Sequence, residues 1–344
     1  MSRCLALILP IVLAATATGQ ADPVESPAST SNALGFISHE RPNAQSGPTR
    51  VTIGLYVIDI SRIEDVDLTA TVDFHLRLEW TDPRLASETG GIRVLDLDDI
   101  WTPTPQVANE RRLFKTFDEV VRVDPAGHVM YRQRFHGTIT TPLDLRNYPL
   151  DRNTVRFRVV AAGYGPDEVE FVMDDRITGQ RHPLSLIDFR VADGTARLGT
   201  FEILPGGERF SEFEYALEVR RAQAYFIWKI IFPLATIVFM SWAAFWMDPS
   251  QQGSRVSVSI TSVLTLIAYR FLLGAIVPRI SYLTRLDIFI LGATILVFLG
   301  LVEVVASGNL TVRGSDRAGR RLDRWSRLVF PAAFAVIIAW AFWL

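Results

Sequence analysis

Residues 256–277 read VSVSITSVLTLIAYRFLLGAIV, an apolar run about long enough to cross a bilayer. One helical stripe through it, at spacings of four and three, begins with hydroxyls and continues with apolar side chains. Hydroxyls in hydrocarbon are costly unless they bond a neighbouring helix or line a water-filled cavity. The stripe therefore predicts either a pore wall, contributed once by each subunit of a ring, or a helix-packing face. Its members are Ser257, Thr261, Leu264, Ala268, Phe271 and Ala275.

The composition predicts a membrane protein with a large exported part. Hydrophobic residues make up 49% of the 344 residues, and the mean hydropathy is +0.21, with the apolar excess in the last third of the chain. Residues 1–21 resemble a secretory signal peptide, and residues 22–35 a flexible tail. The only cysteine, Cys4, lies inside that signal, so no disulfide is expected in the mature chain. A net charge of -2 gives no reason to expect nucleic acid.

Residues 36–222 read as short strands and turns. Polar and apolar residues alternate in runs such as Thr69–Trp80 and Phe213–Val219, and turn sequences such as Asp124–Gly127 separate these runs. The pattern predicts one antiparallel β-sandwich of about nine or ten strands. The five histidines show no metal-ligand spacing, and we find no phosphate loop or nucleophile elbow. We therefore expect neither an enzyme, nor a metal site, nor a cofactor.

The last third, residues 223–344, contains four apolar spans at 225–247, 256–277, 286–306 and 328–344. If the sandwich is exported, the short loop at 307–327 is cytoplasmic, and the C-terminus lies outside. Arginines agree with this orientation because they are concentrated in that loop, where cytoplasmic positive charge is expected. The sequence thus predicts a β + α protein of the cell (inner) membrane, multi-pass, with an extracellular or periplasmic sandwich followed by a four-helix transmembrane bundle.

Three motifs now carry a resemblance. Trp80–Leu85 matches W-x-D-x-R-L, Trp101–Pro103 matches W-x-P, and Leu143–Asp151 matches a signature loop with an aromatic-Pro-x-Asp core. In this order, before four spans, they resemble the pentameric ligand-gated ion channels (Cys-loop receptors), and the prokaryotic branch in particular. Thr141 and Val155 stand where many relatives have the cysteines of the signature disulfide. The resemblance implies a homopentamer, four further copies of the chain around a pore on the symmetry axis, in a lipid bilayer and passing inorganic ions.

The resemblance also implies which residues connect the sandwich to the pore. They are acids and loop residues of the sandwich together with basic residues at the membrane, so their charges are complementary. Ordinary solvated surface charges are the alternative. The predicted coupling residues are Glu64, Asp65, Tyr148, Pro149, Asp151, Arg220, Pro278 and Arg279, with a direct Arg220–Asp151 contact.

Within the stripe, a ring of Leu264 side chains can narrow a pore until water leaves it, so Leu264 is the predicted gate and Phe271 a second candidate. The predicted selectivity turn is Gly253, Ser254 and Arg255. It lacks the glutamate usual in cation-selective relatives, and Ile260–Thr265 resembles the anion branch. The sequence therefore leans toward anions, with a cation-selective channel of the same family as the alternative.

The agonist is the least determined property. The aromatic cage of amine-binding relatives is only half present, whereas arginines on the complementary strands suit a carboxylate and histidine suits a proton agonist. Solvated strand faces are the plain alternative, and a non-conducting membrane receptor with a β-sandwich sensor is the alternative for the whole chain. The candidate ligand residues are His75, Arg77, Arg132, Arg134, Tyr164, Phe201, Phe210, Phe213 and Tyr215.

Overall fold

A computed structural model describes residues 40–88, 90–248, 250–274 and 280–343. The predicted signal peptide (1–21) and tail (22–35) lie outside the described residues. All described residues fall in one compact unit, which spans Ser38–Leu344.

The N-terminal half forms two facing sheets. The first, sheet A, has the strand order β10-β1-β2-β7-β6-β3, with β9 added to β1 and β5 added to β7; the second, sheet B, has the order β11-β13-β8-β4, with β12 on β13. Pairing is antiparallel except that β9 and β10 run parallel to β1. The strands are β1 (Thr49–Glu64), β2 (Thr69–Thr81), β3 (Arg93–Asp96), β4 (Pro105–Val107), β5 (Glu110–Lys115), β6 (Val120–Val123), β7 (His128–Thr140), β8 (Arg152–Ala161), β9 (Val169–Met173), β10 (Gly179–Gln180), β11 (Phe189–Val191), β12 (Thr195–Glu202) and β13 (Arg209–Arg221).

Alternation along the strands builds the sandwich core. Phe74 on β2 is fully buried and stacks on Phe135 of β7 with ring centroids 5.2 Å apart. It also meets Phe157 of β8 edge to face at 5.2 Å, which joins the two sheets. Removing one such ring from a packed core costs about 3–5 kcal/mol. Among the described residues the sandwich has thirteen strands rather than nine or ten, because very short pairings such as β10 are not visible in periodicity.

Four helices long and apolar enough to span a membrane follow among the described residues: α1 (Gln223–Trp246), α2 (Gln252–Leu273), α3 (Arg285–Val312) and α4 (Asp316–Phe342). Within α1, Ile227–Ile231 is a π-helical segment. The Tyr269 hydroxyl of α2 lies within hydrogen-bonding distance of the carbonyl oxygens of Lys229 and Ile230, at 3.1 and 3.0 Å, so a neighbouring helix supports this segment.

The predicted cytoplasmic loop at 307–327 is wrong in extent. Helix α3 continues to Val312 and α4 begins at Asp316, so only three residues separate them. Hydropathy measures where a helix leaves the apolar layer, whereas arginine and leucine also favour the helical backbone outside it. The helical ends therefore extend through residues predicted to form a loop.

Candidate functional site

Arg221 lies at the junction between the sandwich and the first helix, at the end of β13. Its guanidinium donates to Asp151 Oδ1 at 2.8 Å and to Asp65 Oδ1 at 2.7 Å. Only 5% of its side chain is exposed. The guanidinium carbon also stands 4.7 Å from the ring centroid of Tyr148 and 4.5 Å from that of Phe189. One buried cation therefore joins the β1–β2 turn, the signature loop and the end of β13.

Opposing electrostatic effects act on this cluster. Burial alone would lower the pKa of Arg221, but its hydrogen bonds to Asp151 and Asp65 outweigh burial and raise it. The pKa of Asp65 is raised by burial against the lowering effect of Arg221. Burial also raises the pKa of the Tyr148 phenol. Arg221 thus stays charged, and two acids share one guanidinium.

The predicted Arg220–Asp151 contact is wrong, because Arg221 makes it. Arg220 is exposed and donates to Glu218 at 2.9 Å. Side chains alternate along a strand, and Arg221 shares the phase of the buried Val219. Glu64 pairs instead with Arg62 at 3.0 Å.

The signature loop also holds the start of α3. The backbone N–H of Arg285 donates to the Arg146 carbonyl, and that of Leu286 donates to the Tyr148 carbonyl, both at 3.1 Å. The Leu145 N–H donates to the Tyr282 hydroxyl at 3.1 Å. Because the first N–H groups of a helix have no partner inside it, these bonds complete the helix end. A shift of this loop would therefore move the N-terminus of α3. Backbone contacts of this kind leave no signal in a sequence.

The Ser257 stripe is exposed on the face of α2 that points away from the other helices of the chain. Leu264 is 61% and Phe271 80% exposed, whereas Leu266 and Leu273 on the opposite side are buried. Ser257, Thr261 and Ala268 are exposed as well. Ala275, at the end of the predicted stripe, and the predicted coupling residues Pro278 and Arg279 lie outside the described residues.

Hydroxyls on the two faces of α2 have different surroundings. Ser259 and Ser262 are buried against neighbouring helices and donate to carbonyls of their own helix, those of Arg255 at 3.1 Å and Val258 at 2.9 Å. Thr261 donates to the Ser257 carbonyl at 2.8 Å, and its oxygen remains open to the outside. Within one chain, the described part of the stripe, from Ser257 to Phe271, is therefore exposed rather than packed against another helix.

Arg255 does not belong to an exposed selectivity turn, contrary to the prediction. It is fully buried, and its Nη2 donates to Asp323 Oδ1 of α4 at 2.6 Å. Its Nε donates to the Ala244 carbonyl at 3.0 Å, and Ser307 also donates to Asp323. Arg255 lies on the helix side opposite Leu264, so its charge is directed into the bundle. Gly253 and Ser254 of the predicted turn are exposed.

The basic candidate ligand residues form one group on the outward side of sheet A. His75 of β2 pairs with Arg134 of β7, and Arg77 pairs with Arg132. Arg134 forms an ion pair with Asp73 at 2.6 Å. Burial lowers the pKa of His75, and the nearby charges of Arg132, Arg77 and Arg134 lower it further.

The aromatic candidates lie on the other side of the sandwich and divide into two groups. Tyr164 is half-buried, and its hydroxyl accepts a bond from Trp101 Nε1 at 3.0 Å. Phe201 is half-buried beneath the guanidinium of Arg158, 5.0 Å from its ring centroid.

Phe213 and Tyr215 do not belong to an accessible ligand site, contrary to the prediction. Both are buried in the sandwich core, since they lie on the inward phase of β13. Phe210 is half-buried. Phe201 and Phe210 thus lie on strands of sheet B and Tyr164 in the turn after β8, whereas the four basic candidates lie on β2 and β7 of sheet A.

Comparison with known proteins matches both halves of the chain. Residues 31–202 match the family model "Neurotransmitter-gated ion-channel ligand binding domain", and residues 230–321 match "Neurotransmitter-gated ion-channel transmembrane region". The chain is 27% identical over 280 residues to the gamma-aminobutyric acid receptor subunit beta-4 of Gallus gallus, covering 78% of this chain and 57% of that protein. It is 26% identical over 308 residues to the proton-gated ion channel of Gloeobacter violaceus, covering 88% and 85%. The match thus spans little more than half of the chicken subunit.

Proposed function

The chain belongs to the neurotransmitter-gated ion-channel family, and from this premise we propose that five copies form an agonist-gated channel whose pore is lined by α2. The carrying observation is the exposed stripe from Ser257 to Phe271, which is opposite the buried face of α2. Such a stripe needs a partner or water, and a closed ring of subunits supplies an aqueous axis.

Leu264 is the proposed gate. It is in the middle of the stripe with most of its side chain exposed, where five leucines can exclude water from a constriction. Phe271, two turns along the helix, is a second constriction. Ser257 and Thr261 offer hydroxyl groups to a partly dehydrated ion on the other side of Leu264.

Anion selectivity is our proposal for the permeant ion, and it does not rest on the charge of Arg255. No carboxylate is on the exposed face of α2 where this helix begins, among the described residues Gln252–Ser257. The helix also presents its first backbone N–H groups there, and the positive end of a helix dipole favours anions. A cation-selective pore of the same architecture is the competing proposal.

The agonist site is proposed to form between neighbouring copies, because its basic residues lie on sheet A of one chain and its phenylalanines on sheet B. One copy would contribute Tyr164, Phe201 and Phe210, and the next would contribute His75, Arg77, Arg132 and Arg134. Three arginines suit a carboxylate-bearing agonist, and one similar protein is named as a gamma-aminobutyric acid receptor subunit. Another is named as proton-gated, which makes a proton the alternative agonist, read by His75 or the acids.

Coupling is proposed to run through the Arg221 cluster and the signature loop into α1 and α3. Asp65, Tyr148, Pro149 and Asp151 supply the sandwich side of this connection. An agonist that binds the open state more tightly, by about 3 kcal/mol, would shift the equilibrium more than a hundredfold. The four spans make this a multi-pass membrane protein; the inner membrane and a periplasmic sandwich are part of the proposal.

Recording from the purified protein in planar bilayers tests the proposal. Currents evoked by a carboxylate-bearing agonist or by acid, with a reversal potential near that of chloride in a sodium chloride gradient, are the expected result. A shift toward the sodium potential would support the cation alternative. If verified pentamers pass no current under either stimulus, the non-conducting receptor becomes the better account.

A further inference from the structure

A row of three arginines crosses three strands of sheet B, at the end of the sheet nearest the membrane helices. Arg220 of β13 pairs in register with Arg190 of β11 on one side and with Arg152 of β8 on the other. Directly paired residues of adjacent strands project from the same face of a sheet. The three arginine side chains therefore extend side by side from the same face of the sheet.

Their neighbours along each strand confirm which way the row faces. Phe189 of β11 and Arg221 of β13, each one position away in its strand, are buried, and so is Asp151, which immediately precedes β8. The arginines themselves are exposed, because side chains alternate between the two faces. The buried row holds the Arg221 cluster, and the arginine row lies outside it.

The charges of this row are poorly compensated. The arginines border a cavity of about 430 Å³, together with Gln223, Ile227 and Trp228. Asp151 is the one acid in the described wall of this cavity, and it is bonded to Arg221. Arg220 has an exposed partner in Glu218, whereas Arg152 and Arg190 form no ion pair among the described residues. Like charges directly opposite each other destabilise a sheet, so an anion in the cavity would relieve this repulsion.

The cavity lies at the level where the chain enters the membrane. Helix α1 begins at Gln223, two residues after the end of β13. Trp228 is 64% exposed and Ile227 43% exposed, on the first turns of that helix. Tryptophan is enriched at the boundary between lipid and water, where its ring lies among the headgroups. The wall is thus basic toward the sandwich and apolar toward the bilayer.

We propose that this cavity binds the headgroup of an anionic phospholipid from the outer leaflet. The planar donors of Arg152, Arg190 and Arg220 match the oxygens of a phosphate. Trp228 and Ile227 would pack against the first carbons of the acyl chains. Neither a lipid site nor a role in holding lipid follows from the agonist site or from the pore.

Native mass spectrometry of the full-length pentamer tests the proposal. Protein is equilibrated in mixed micelles of phosphatidylglycerol and phosphatidylcholine, and the bound ratio is measured for wild type, for Arg152→Gln/Arg190→Gln/Arg220→Gln, and for a control. The control, Arg50→Gln/Arg122→Gln/Arg176→Gln, removes the same charge from exposed positions outside the row. We expect the triple variant to lose at least about fivefold in preference for phosphatidylglycerol, the effect of one basic residue near a lipid surface. The control should retain its preference.

A milder variant guards against misfolding. Arg152→Gln/Arg190→Gln leaves the Arg220–Glu218 pair intact and should lose preference in the same direction. Equal retention of phosphatidylglycerol by wild type and both row variants would overturn the proposal. So would displacement of the lipid by inorganic phosphate at equal concentration, since the occupant would then be a free anion rather than a lipid.

Discussion

The guanidinium of Arg255 donates to the carboxylate of Asp323 across 2.6 Å inside the helix bundle, where the side chains are 0% and 3% exposed. Arg255 lies in the first turn of α2, and Asp323 lies in the N-terminal half of α4. The pair ties the start of the proposed pore helix to a different span. It also holds the positive charge of Arg255 inside the bundle, away from the exposed face of α2.

Breaking this pair on one side should strongly destabilise the pentamer. Arg255→Leu or Asp323→Leu leaves a buried charge without its partner, for which about 3–5 kcal/mol is typical. The double variant Arg255→Leu/Asp323→Leu should recover most of this loss. Thermal unfolding of the detergent-solubilised pentamer measures all three. Strictly additive losses would show that the two side chains act independently.

Selectivity should respond to Ser254 and not to Arg255. Ser254→Glu introduces five carboxylates, and charges about 8 Å from an ion contribute roughly 2 to 3 kcal/mol together even at water-like dielectric before screening. The reversal potential in a sodium chloride gradient should move toward that of sodium. The Arg255→Leu/Asp323→Leu variant is the control and should keep the wild-type reversal potential. A change in that control would mean that Arg255 acts on the ion.

Leu264→Ser should make the closed channel leak. Five hydroxyls at the constriction retain water that five leucines exclude. Leu272→Ser is the matched control, because Leu272 is 56% exposed but lies off the stripe. Agonist-free current, normalised to surface pentamers, is the measurement. A Leu264→Ser channel as tight as wild type would move the gate elsewhere, with Phe271 the next candidate.

Gating should depend on Arg221 far more than on Arg220. Arg221→Gln leaves Asp65 and Asp151 without their shared cation and should abolish the evoked current of assembled pentamers. Arg220→Gln removes the same charge one residue earlier and should keep a measurable evoked current. In a double-mutant cycle on the free energy of unfolding, Arg221 and Asp151 should couple by about 0.5–3 kcal/mol. Equal loss in the two single variants would argue against the buried cluster as the connection.

Acid should destabilise the fold through His75. Its folded pKa lies below the usual 6.5, so the unfolded chain binds protons more readily. The stability contribution of neutral His75 is therefore present above about pH 6.5 and lost as the pH falls through and below that value. The melting temperature of His75→Gln should fall less than that of wild type between about pH 7 and 5.

The family, the sandwich and the four membrane helices were predictable from sequence, and the comparisons confirm them. Motifs such as Trp80–Leu85 are informative because they combine turn-forming residues with a buried aromatic side chain. In the structure, Asp82 is fully buried and accepts from the backbone N–H and Nε of Arg84. Hydropathy located the spans because a bilayer demands length and apolarity together.

Site details followed less well, for two physical reasons. The phase of β13 would have assigned Arg221, Phe213 and Tyr215 to the buried face, since each is in step with Leu217. The alternation of side chains along β13 therefore contains this information, whereas the position of a residue within a family motif does not show which way its side chain faces. The Arg255–Asp323 pair left no such signal, because its members are 68 residues apart and meet only through helix packing.

The adjacent arginines at the end of β13 also restrict how this chain can change during evolution. The Arg220 side chain faces outward and the Arg221 side chain inward. Loss or gain of one residue between the β12–β13 turn and Arg220 would therefore turn each of these positions to the opposite face of the sheet. Such an indel would bring a different side chain to Asp151 and Asp65 and would turn a charge away from its acids. Substitutions along this strand can be sampled one at a time. Length changes would survive only in compensating pairs, so homologues should keep a constant number of residues between the β12–β13 turn and the start of α1.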